Sequence, residues 1–284
     1  MTLKQKNTQV KETRCLNGGS LTGYAMPDSA DKNSKFEIRN SKFRPKAGSV
    51  SVFFPCYNEQ DNVARTIEQA LSVLQQLSSD FEIIIIDDGS TDATGQIADE
   101  IASRDSRVKV VHHRTNLGYG AALQSGFKAA TKELVFYTDG DGQFDINELP
   151  PLLPLMDKAD IVSCYRLNRQ DSLLRKINAW CWTKLVCWLF GMKVRDIDCA
   201  FKLYKREIFD NIELSSTGAL IDAEILAKAS RKGYSITQKG VHHYPRIAGS
   251  QTGANWRVIL RAFKELFKLK SEIRNSKSET NTKS

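Results

Sequence analysis

Apolar residues between positions 50 and 164 follow two patterns that alternate along the chain. Over residues 63–77, apolar residues recur every three to four positions, which predicts an amphipathic helix. Further helices are expected over TGQIADEIA (94–102) and from about Gly120 to Ala130. The short apolar runs that predict buried strands are VSVFF (50–54), FEIIIID (81–87), VKVVH (108–112), ELVFYT (133–138) and DIVSC (160–164).

This alternation predicts an α/β fold with a mostly parallel sheet and helices on both of its faces. Ligands of such sheets bind beyond the carboxyl ends of the strands. Three polar loops fall at predicted strand ends, namely PCYNE (55–59), DDGS (87–90) and TDGDGQ (138–143). We therefore expect these loops to form one site.

The positive charge of the chain is concentrated at its two ends. Residues 1–47 carry 10 Lys/Arg against 4 Asp/Glu and residues 256–284 carry 8 against 3, which leaves the middle at −3 of the total +8. The polar, aperiodic residues 1–47 are predicted to be a disordered basic arm, residues 48–255 a single folded domain, and residues 256–284 a basic helix with a disordered tail. Such ends favour an anionic surface as partner, either nucleic acid or acidic lipid.

The segment 256–270 is predicted to form an amphipathic helix with an apolar and a basic side. Its apolar residues are Trp256, Ile259, Leu260, Phe263, Leu266 and Phe267, and its basic residues are Arg257, Arg261, Lys264 and Lys268. Tryptophan opposite a basic side is typical of helices that lie in a bilayer interface. Packing on the domain core is the alternative. Residues 173–192, which contain Trp180, Trp182 and Trp188, are a second candidate for membrane contact.

The sequence predicts a cytoplasmic protein. No apolar segment reaches the roughly 18 residues that cross a bilayer, and the first residues lack the apolar core of a signal peptide. The six cysteines have no zinc-like spacing and are expected to be reduced thiols.

The stretch FYTDGDGQFD (136–145) ends an apolar run with two aspartates two positions apart. Two carboxylates so close repel each other unless a positive charge lies between them. Mg²⁺ and Mn²⁺ prefer a few carboxylates together with phosphate oxygens. Asp139 and Asp141 are therefore interpreted as ligands of a divalent ion that neutralises a nucleotide diphosphate. A solvated acidic turn is the simplest alternative.

A calcium loop of EF-hand type is a second alternative, from a non-enzymatic class. Within residues 137–148, Asp139, Asp141, Asp145 and Glu148 fall on ligand positions of such a loop. However, its first position would be Tyr137, and ELVFYT in front of it does not have a helical pattern. The glycine-rich phosphate loops of ATPases and dinucleotide-binding proteins do not occur in the sequence.

Five motifs together resemble family 2 glycosyltransferases of GT-A fold, in particular the dolichyl- or polyprenyl-phosphate sugar transferases. They are FFPCYNEQDNV, IIIIDDGSTDATG, NLGYGAALQSGF, FYTDGDGQFD and DIDCAFKLYKREIF, within roughly residues 48–262. The resemblance implies an inverting glycosyltransferase that depends on Mg²⁺ or Mn²⁺ and uses a GDP- or UDP-sugar donor. It also implies a lipid phosphate acceptor, and hence a membrane surface or membrane protein as partner rather than nucleic acid.

The same resemblance assigns residues to each part of the site. The nucleotide-sugar residues that it implies are Pro55, Tyr57, Glu59, Ile86, Asp88, Gly118 and Asp139. The metal site would comprise Asp139, Asp141 and Gln143, and Arg246 would close over the phosphates. Arg166 and Lys176 would hold the acceptor phosphate. Capping of the following helix is the alternative role of Asp88.

The chain departs from this branch at two places. RIAGSQT (246–252) has Gln251 and Thr252 where the branch often has a serine and a lysine. RDIDCAF has Asp198 and Cys199 where others have threonine and glycine. Both departures concern the loops expected to meet the acceptor.

The nature of the acceptor decides whether a general base is needed. A lipid monophosphate has a second pKa of about 6, so its attacking oxygen is already anionic near neutral pH. Transfer to a sugar hydroxyl, the alternative enzymatic reading, requires a carboxylate base. The candidates for this base are Asp196, Asp198 and Glu224.

Overall fold

The computed structural model of the chain describes residues 48–167, 173–246, 263 and 265–273. The strands are β1 (Val50–Cys56), β2 (Phe81–Asp87), β3 (Val108–His112), β4 (Leu134–Thr138), β5 (Ile161–Leu167), β6 (Phe201–Lys205) and β7 (Ile236–His242). The helices are α1 (Val63–Leu77), α2 (Thr94–Ala102), α3 (Tyr119–Ala129), α4 (Leu173–Phe190), α5 (Glu207–Asn211) and α6 (Ile221–Arg231). Two 3-10 helices, Ile146–Glu148 and Pro150–Asp157, follow β4.

The seven strands form one sheet in the order β3-β2-β1-β4-β6-β5-β7. Strands β1 to β4 are parallel to one another, and β7 is parallel to β5. Strand β6 runs antiparallel to both of its neighbours, β4 and β5. The predicted α/β fold with a mostly parallel sheet is therefore confirmed.

Side chains that alternate along the strands build a core on each face of the sheet. In β1, Val52 and Phe54 belong to the cluster that includes α1, α2 and the second 3-10 helix, whereas Phe53 belongs to the cluster that includes α3 and α6. Successive strand residues point to opposite faces, so a strand that is apolar throughout is buried on both. Helices consequently cover both faces, as the sequence pattern predicts.

Besides β7, the strand that the apolar pattern does not identify is β6. It is formed by FKLYK, within the motif DIDCAFKLYKREIF, and it separates β4 from β5 in the sheet. Its antiparallel register places Thr138 opposite Phe201 and Tyr137 opposite Lys202. The residues just before β6 therefore lie at the same edge as the carboxyl end of β4.

Of the predicted C-terminal helix, residue 263 and residues 265–273 are described, and they are helical. Leu266 and Leu269 are buried in the same cluster as residues of α3 and α6, whereas Phe267 is exposed. The basic arm 1–47, the rest of 256–284, Gln251 and Thr252 lie outside the described residues. In the part of the chain that is described, no helix combines the length and apolarity needed to cross a membrane.

Candidate active site

The carboxyl ends of β1, β2 and β4 bring the three polar loops to one edge of the sheet. The Asp88 amide donates to the Cys56 carbonyl at 2.9 Å, which joins the loop after β2 to the end of β1. The Glu59 amide donates to Thr94 Oγ1 at 2.8 Å, which joins the loop after β1 to the start of α2. The predicted convergence of these loops is present in the fold.

Asp139 and Asp141 follow β4, and their burial disfavours the charged form of both carboxyl groups. Burial and the neighbouring charge of Asp141 raise the pKa of Asp139 to about 8, although a bond of 3.1 Å from Tyr119 Oη to its Oδ1 opposes this. Burial also raises the pKa of Asp141, whose Oδ1 accepts from the Gln143 amide at 3.0 Å. A divalent cation between them would favour both charged forms.

These two carboxylates fit a hard cation that keeps other ligands from substrate and water. Within the described residues, no group of three or more His, Cys, Asp or Glu side chains is placed to hold a metal by itself. Mg²⁺ and Mn²⁺ sites that bind substrate phosphates commonly have only one or two carboxylates. The donor set is thus suited to a cation shared with a diphosphate.

Gln143 connects the two-aspartate loop to the segment that precedes Arg246. Its Nε2 donates to the Tyr244 carbonyl at 3.0 Å, and the Tyr244 amide donates to the Gln143 carbonyl at 2.8 Å. Of its side-chain atoms, Oε1 is the one that a cation would use. Gln143 therefore orders the loop whether or not it is itself a ligand.

Arg246 lies beside the same loop and is held by Glu59. Its Nη2 donates to Glu59 Oε1, and its Nη1 lies 3.9 Å from Asp141 Oδ2. The buried Glu59 is in turn fixed by Asn62, whose Nδ2 donates to Glu59 Oε2 at 2.8 Å. The first and third loops thus share one guanidinium.

Asp88 is occupied by the loop that precedes α3. Its Oδ1 accepts from the Leu117 amide at 2.9 Å and lies 2.6 Å from His113 Nδ1, and its Oδ2 accepts from the Gly118 amide at 2.9 Å. Capping of α2, the alternative role, is wrong because the Thr94 amide donates to Asp92 at 3.0 Å instead. Asp88 shapes the loop around Gly118.

The glycines of this loop permit a close approach to residues 215–217. Gly118 has a φ of +97°, and a Cβ on Gly120 would lie 2.5 Å from the Ser216 carbonyl oxygen. The Gly120 amide donates to the Thr217 carbonyl at 3.0 Å. Only a residue without a side chain fits at Gly120, which explains the glycine spacing of NLGYGAALQSG.

Glu224, a candidate base, is fully buried and both of its oxygens are engaged. Oε1 accepts from the Ser215 amide at 2.9 Å and from Lys228 Nζ at 2.6 Å, and Oε2 accepts from the Ser216 amide at 2.8 Å. A general base needs an oxygen within hydrogen-bond reach of the acceptor. This geometry instead makes Glu224 the anchor of the loop that packs on Gly120.

The remaining predicted donor residues lie in different environments. Tyr57 is exposed beside the site, and Pro55 is half-buried in β1. The Ile86 side chain is fully buried in the core of the sheet. Contact between Ile86 and a nucleotide is therefore restricted to its backbone, since the side chain is inaccessible.

The predicted acceptor residues Arg166 and Lys176 lie in β5 and in α4. Arg166 forms a two-bond ion pair with Asp196, with Nε–Oδ2 and Nη2–Oδ1 distances of 2.7 and 2.8 Å. Lys176 is exposed on α4 and makes no ion pair within the described residues. Burial and the charge of Asp222 raise the pKa of Asp198 to about 6. Asp196 is committed to Arg166, whereas Asp198 has no hydrogen bond in the described part of the chain.

The calcium-loop alternative is wrong. Strand β4 precedes the loop where an EF-hand requires a helix. Asp145 Oδ1 accepts from the Asn147 amide at 2.9 Å, and Glu148 Oε1 accepts from the His242 amide at 3.0 Å. These two carboxylates serve local structure.

A buried hydrogen-bonded network lies next to the site, and the sequence analysis did not predict it. Lys202 in β6, Tyr137 in β4 and Asp222 in α6 are hydrogen-bonded to one another. The available signal was a lysine within the otherwise apolar centre of FKLYK. Tyr119, which donates to Asp139, was missed as well.

Comparison with known proteins gives a consistent set of matches. The family model described as glycosyl transferase family 2 matches residues 51–213. The dodecaprenyl-phosphate galacturonate synthase of Rhizobium johnstonii is 30% identical over 247 residues, which cover 84% of this chain and 72% of that protein. The undecaprenyl-phosphate 4-deoxy-4-formamido-L-arabinose transferase of Proteus mirabilis is 32% identical over 167 residues, 58% of this chain but only about half (51%) of that protein.

Solved structures support the same fold. Glucosyl-3-phosphoglycerate synthase from Mycobacterium tuberculosis, crystallised with Mn²⁺, uridine diphosphate and glucosyl-3-phosphoglycerate, superposes with a TM-score of 0.64. The two are 19% identical, and the match covers 80% of this chain and 82% of that one. At this identity the likeness concerns the GT-A-like fold alone.

Proposed function

Because the chain belongs to glycosyl transferase family 2, we propose that it transfers a sugar from a nucleotide-diphosphate sugar to polyprenyl phosphate. The observation that carries the proposal is the placement of Asp139 and Asp141 at the end of β4, with Arg246 3.9 Å from Asp141. The names of the two relatives, which specify polyprenyl phosphates, support the acceptor class.

The donor diphosphate binds between the two-aspartate loop and Arg246. Asp139, Asp141 and Gln143 Oε1 would hold Mg²⁺ or Mn²⁺, whose positive charge would stabilise the nucleoside diphosphate as leaving group. The Mn²⁺ and uridine diphosphate of the fold neighbour support this choice. Arg246 adds a second positive charge, and Asp88 holds the glycine loop in the shape that receives the nucleotide.

The reaction is a single displacement that inverts the anomeric carbon. A phosphate monoester acceptor is already anionic, so the protein has to orient its oxygen and offset the repulsion between the two phosphates. The commitment of Asp196 to Arg166 and of Glu224 to residues 215–216 agrees with a reaction that needs no base. Arg166 is the cation proposed to face the acceptor phosphate, with Lys176 as its partner.

One observation favours a second candidate, transfer to a sugar hydroxyl. Asp198 precedes β6 at the site edge, and its pKa of about 6 suits a general base near neutral pH. It also stands where the polyprenyl-phosphate branch often has a threonine. The two acceptors make different demands on this residue, since only a hydroxyl has to lose a proton.

The test combines acceptor and variant. The full chain is incubated with Mn²⁺, labelled UDP- and GDP-sugars, and either vesicles that contain undecaprenyl phosphate or a mixture of soluble oligosaccharides. We expect label in an organic-extractable, mild-acid-labile product with the phosphate only, and a loss below about tenfold in Asp198→Asn. Transfer to the oligosaccharides, with the label staying in the aqueous phase and a loss of about 10²–10⁴-fold in Asp198→Asn, would instead establish the hydroxyl reaction.

Access to a lipid acceptor requires contact with a membrane, and α4 with residues 263 and 265–273 offers a surface for it. We define the tryptophan surface as Ile177, Trp180, Trp188, Phe263 and Phe267, all exposed large apolar side chains. Lys184 Nζ lies 5.9 Å from the Trp180 ring centroid, and Lys270 Nζ lies 5.7 Å from that of Trp188. Exposed tryptophans interspersed with lysines suit an anionic bilayer interface, which we place on the cytoplasmic face.

A further inference from the structure

Lys202 is a fully buried ammonium whose three hydrogen-bond donors all have acceptors. Its Nζ donates to Asp222 Oδ1 at 2.7 Å, to the Cys199 carbonyl at 2.6 Å and to Tyr137 Oη at 3.1 Å. Tyr137 Oη in turn donates to Asp222 Oδ1. Tyr137 and Lys202 are 0% exposed and Asp222 is 3% exposed. An ammonium has three donors, so this network is complete.

A buried ion pair of this kind is weak evidence for stability by itself. Removing two charges from water costs about as much as their attraction returns, and apolar side chains of similar volume often serve a core equally well. Stability alone therefore does not explain the network, and its role depends on the elements that it joins.

The three elements joined by Lys202 all border the site. Tyr137 lies directly opposite Lys202 across β4 and β6, two residues before Asp139. The Cys199 carbonyl belongs to the segment that carries Asp198. Asp222 lies in the first turn of α6, the helix whose Glu224 anchors residues 215–216. One side chain thus ties the end of β4 to the two segments beside it.

We propose that Lys202 is a positioning residue, which through Tyr137 fixes the end of β4 so that Asp139 and Asp141 are held in the geometry that binds the divalent cation. This inference rests on the proposed function, because it concerns the same cation. It assigns no contact with substrate to Lys202. Partners outside the ligand set that orient metal ligands typically change metal affinity by about 10–100-fold when they are lost.

The most direct variant is Tyr137→Phe, which removes the link between Lys202 and β4 but keeps the aromatic ring and the Lys202–Asp222 pair. Free Mn²⁺ is followed by electron paramagnetic resonance during titration of the full chain with whichever of UDP or GDP the parent binds. We expect a folded variant, by thermal melting without metal, whose half-saturating Mn²⁺ concentration rises about tenfold or more.

A second variant separates positioning from support of the fold. Lys202→Met, Asp222→Leu and Tyr137→Phe together remove the buried charges and the hydroxyl, and such apolar replacements are often neutral for stability. We expect this triple variant to show the same weakened Mn²⁺ binding as Tyr137→Phe. The matched control is Lys205→Met, a change on the same strand as Lys202. It breaks the ion pair between Lys205 Nζ and Asp160 Oδ1, which lie 2.7 Å apart. Its Mn²⁺ titration should stay within about twofold of the parent.

The outcomes are distinguishable. If Tyr137→Phe stays folded and titrates as the parent does, Lys202 does not position the loop and the inference is overturned while the proposed function stands. If the triple variant unfolds, Tyr137→Phe alone decides. If the parent binds neither nucleotide with Mn²⁺, the proposed function fails, and the positioning role fails with it.

Discussion

At the scale of single residues, the acidic side chains around the site divide into two groups. Asp88, Asp196 and Glu224 have both oxygens engaged by partners within the chain. Asp139, Asp141 and Asp198 have raised pKa values, chiefly because burial disfavours their charge. The first group holds the loops in place through these hydrogen bonds. The second group can bind a cation or accept a proton. Perturbed pKa values in a cleft are a signature of functional sites.

The Asp141→Asn variant tests the second group. Because asparagine keeps the shape but removes one negative charge, we expect the protein to melt near the parent temperature. We expect Mn²⁺-dependent nucleotide binding to weaken by at least the roughly 10–100-fold that is typical when a residue that only orients metal ligands is lost. Calorimetric titration with and without Mn²⁺ measures this. Asp157→Asn, at an exposed position, is the control. Unchanged Mn²⁺-dependent binding in Asp141→Asn would remove Asp141 from the metal site.

At the scale of elements, the glycine loop before α3 is held from two sides. Asp88 binds its amides at Leu117 and Gly118, while Glu224 secures residues 215–216, beside the Thr217 carbonyl that receives the Gly120 amide. Asp88 and Glu224 therefore hold in place the loop that is proposed to receive the nucleotide.

The acid sensitivity of the fold tests the anchoring role of Glu224. Burial opposes its charge, but the bonds from Lys228 and the Ser216 amide outweigh this and lower its pKa below 4.5. A carboxyl with a lowered pKa stabilises the fold above its unfolded pKa, and this contribution is lost as the pH falls through the folded value. Glu224→Gln should thus cost about 1–3 kcal/mol at pH 7 and progressively less below pH 4.5.

Thermal melts of the parent and Glu224→Gln between pH 3 and 7 measure this difference, with the exposed Glu213→Gln as control. We expect the melting temperatures of parent and Glu224→Gln to converge as the solution becomes acid. Transfer activity at pH 7 should fall less than about tenfold. A loss of about 10²-fold or more in a folded Glu224→Gln would restore the general-base role.

The elements that the sequence predicts are those with a recognisable local pattern of apolar residues. Buried parallel strands are apolar throughout, so β1, β2 and β4 and the polar loops behind them are evident from local pattern. Strand β6 is not, because lysine is rarely buried and FKLYK contains two. The burial of Lys202 depends on Asp222, 20 residues later, and on Tyr137, 65 residues earlier.

The same limit applies to the site. Asp139, Asp141 and Arg246 were predicted as a group and lie together, because their motifs end neighbouring strands or approach them. The roles of Asp88 and Glu224 were not, since a sequence shows a carboxylate but not the backbone amides that it accepts from. Local sequence patterns do not predict hydrogen bonds between residues that only the folded chain brings together.

At the scale of the whole molecule, the tryptophan surface lies on one face of the fold. Residues of α4 and of 265–273 pack in the cluster with α3 and α6, whereas α1 and α2 belong to the cluster on the opposite face of the sheet. Exposure is high at Trp180 (61%), Trp188 (76%) and Phe267 (62%). Exposed apolar side chains of this size are typical of interaction surfaces, which supports the proposed membrane contact.

The membrane proposal predicts separate effects of the tryptophans and the lysines on vesicle binding. Lys184→Gln with Lys270→Gln should remove about 2 kcal/mol of attraction to anionic vesicles, since each basic residue near such a surface contributes about 1 kcal/mol. The remaining binding should depend less on salt, because exposed charges are screened over about 8–10 Å. Trp180→Ser with Trp188→Ser should release the protein with little change in salt dependence, because the lost contribution is apolar.

Co-sedimentation with phosphatidylserine vesicles over a salt series, beside thermal melts, measures both effects. Arg104→Gln with Lys158→Gln, exposed basic residues on the α1–α2 face, is the matched control and should sediment as the parent does. Tryptophan variants that melt normally and still sediment fully would show that the bilayer contact lies elsewhere on the chain.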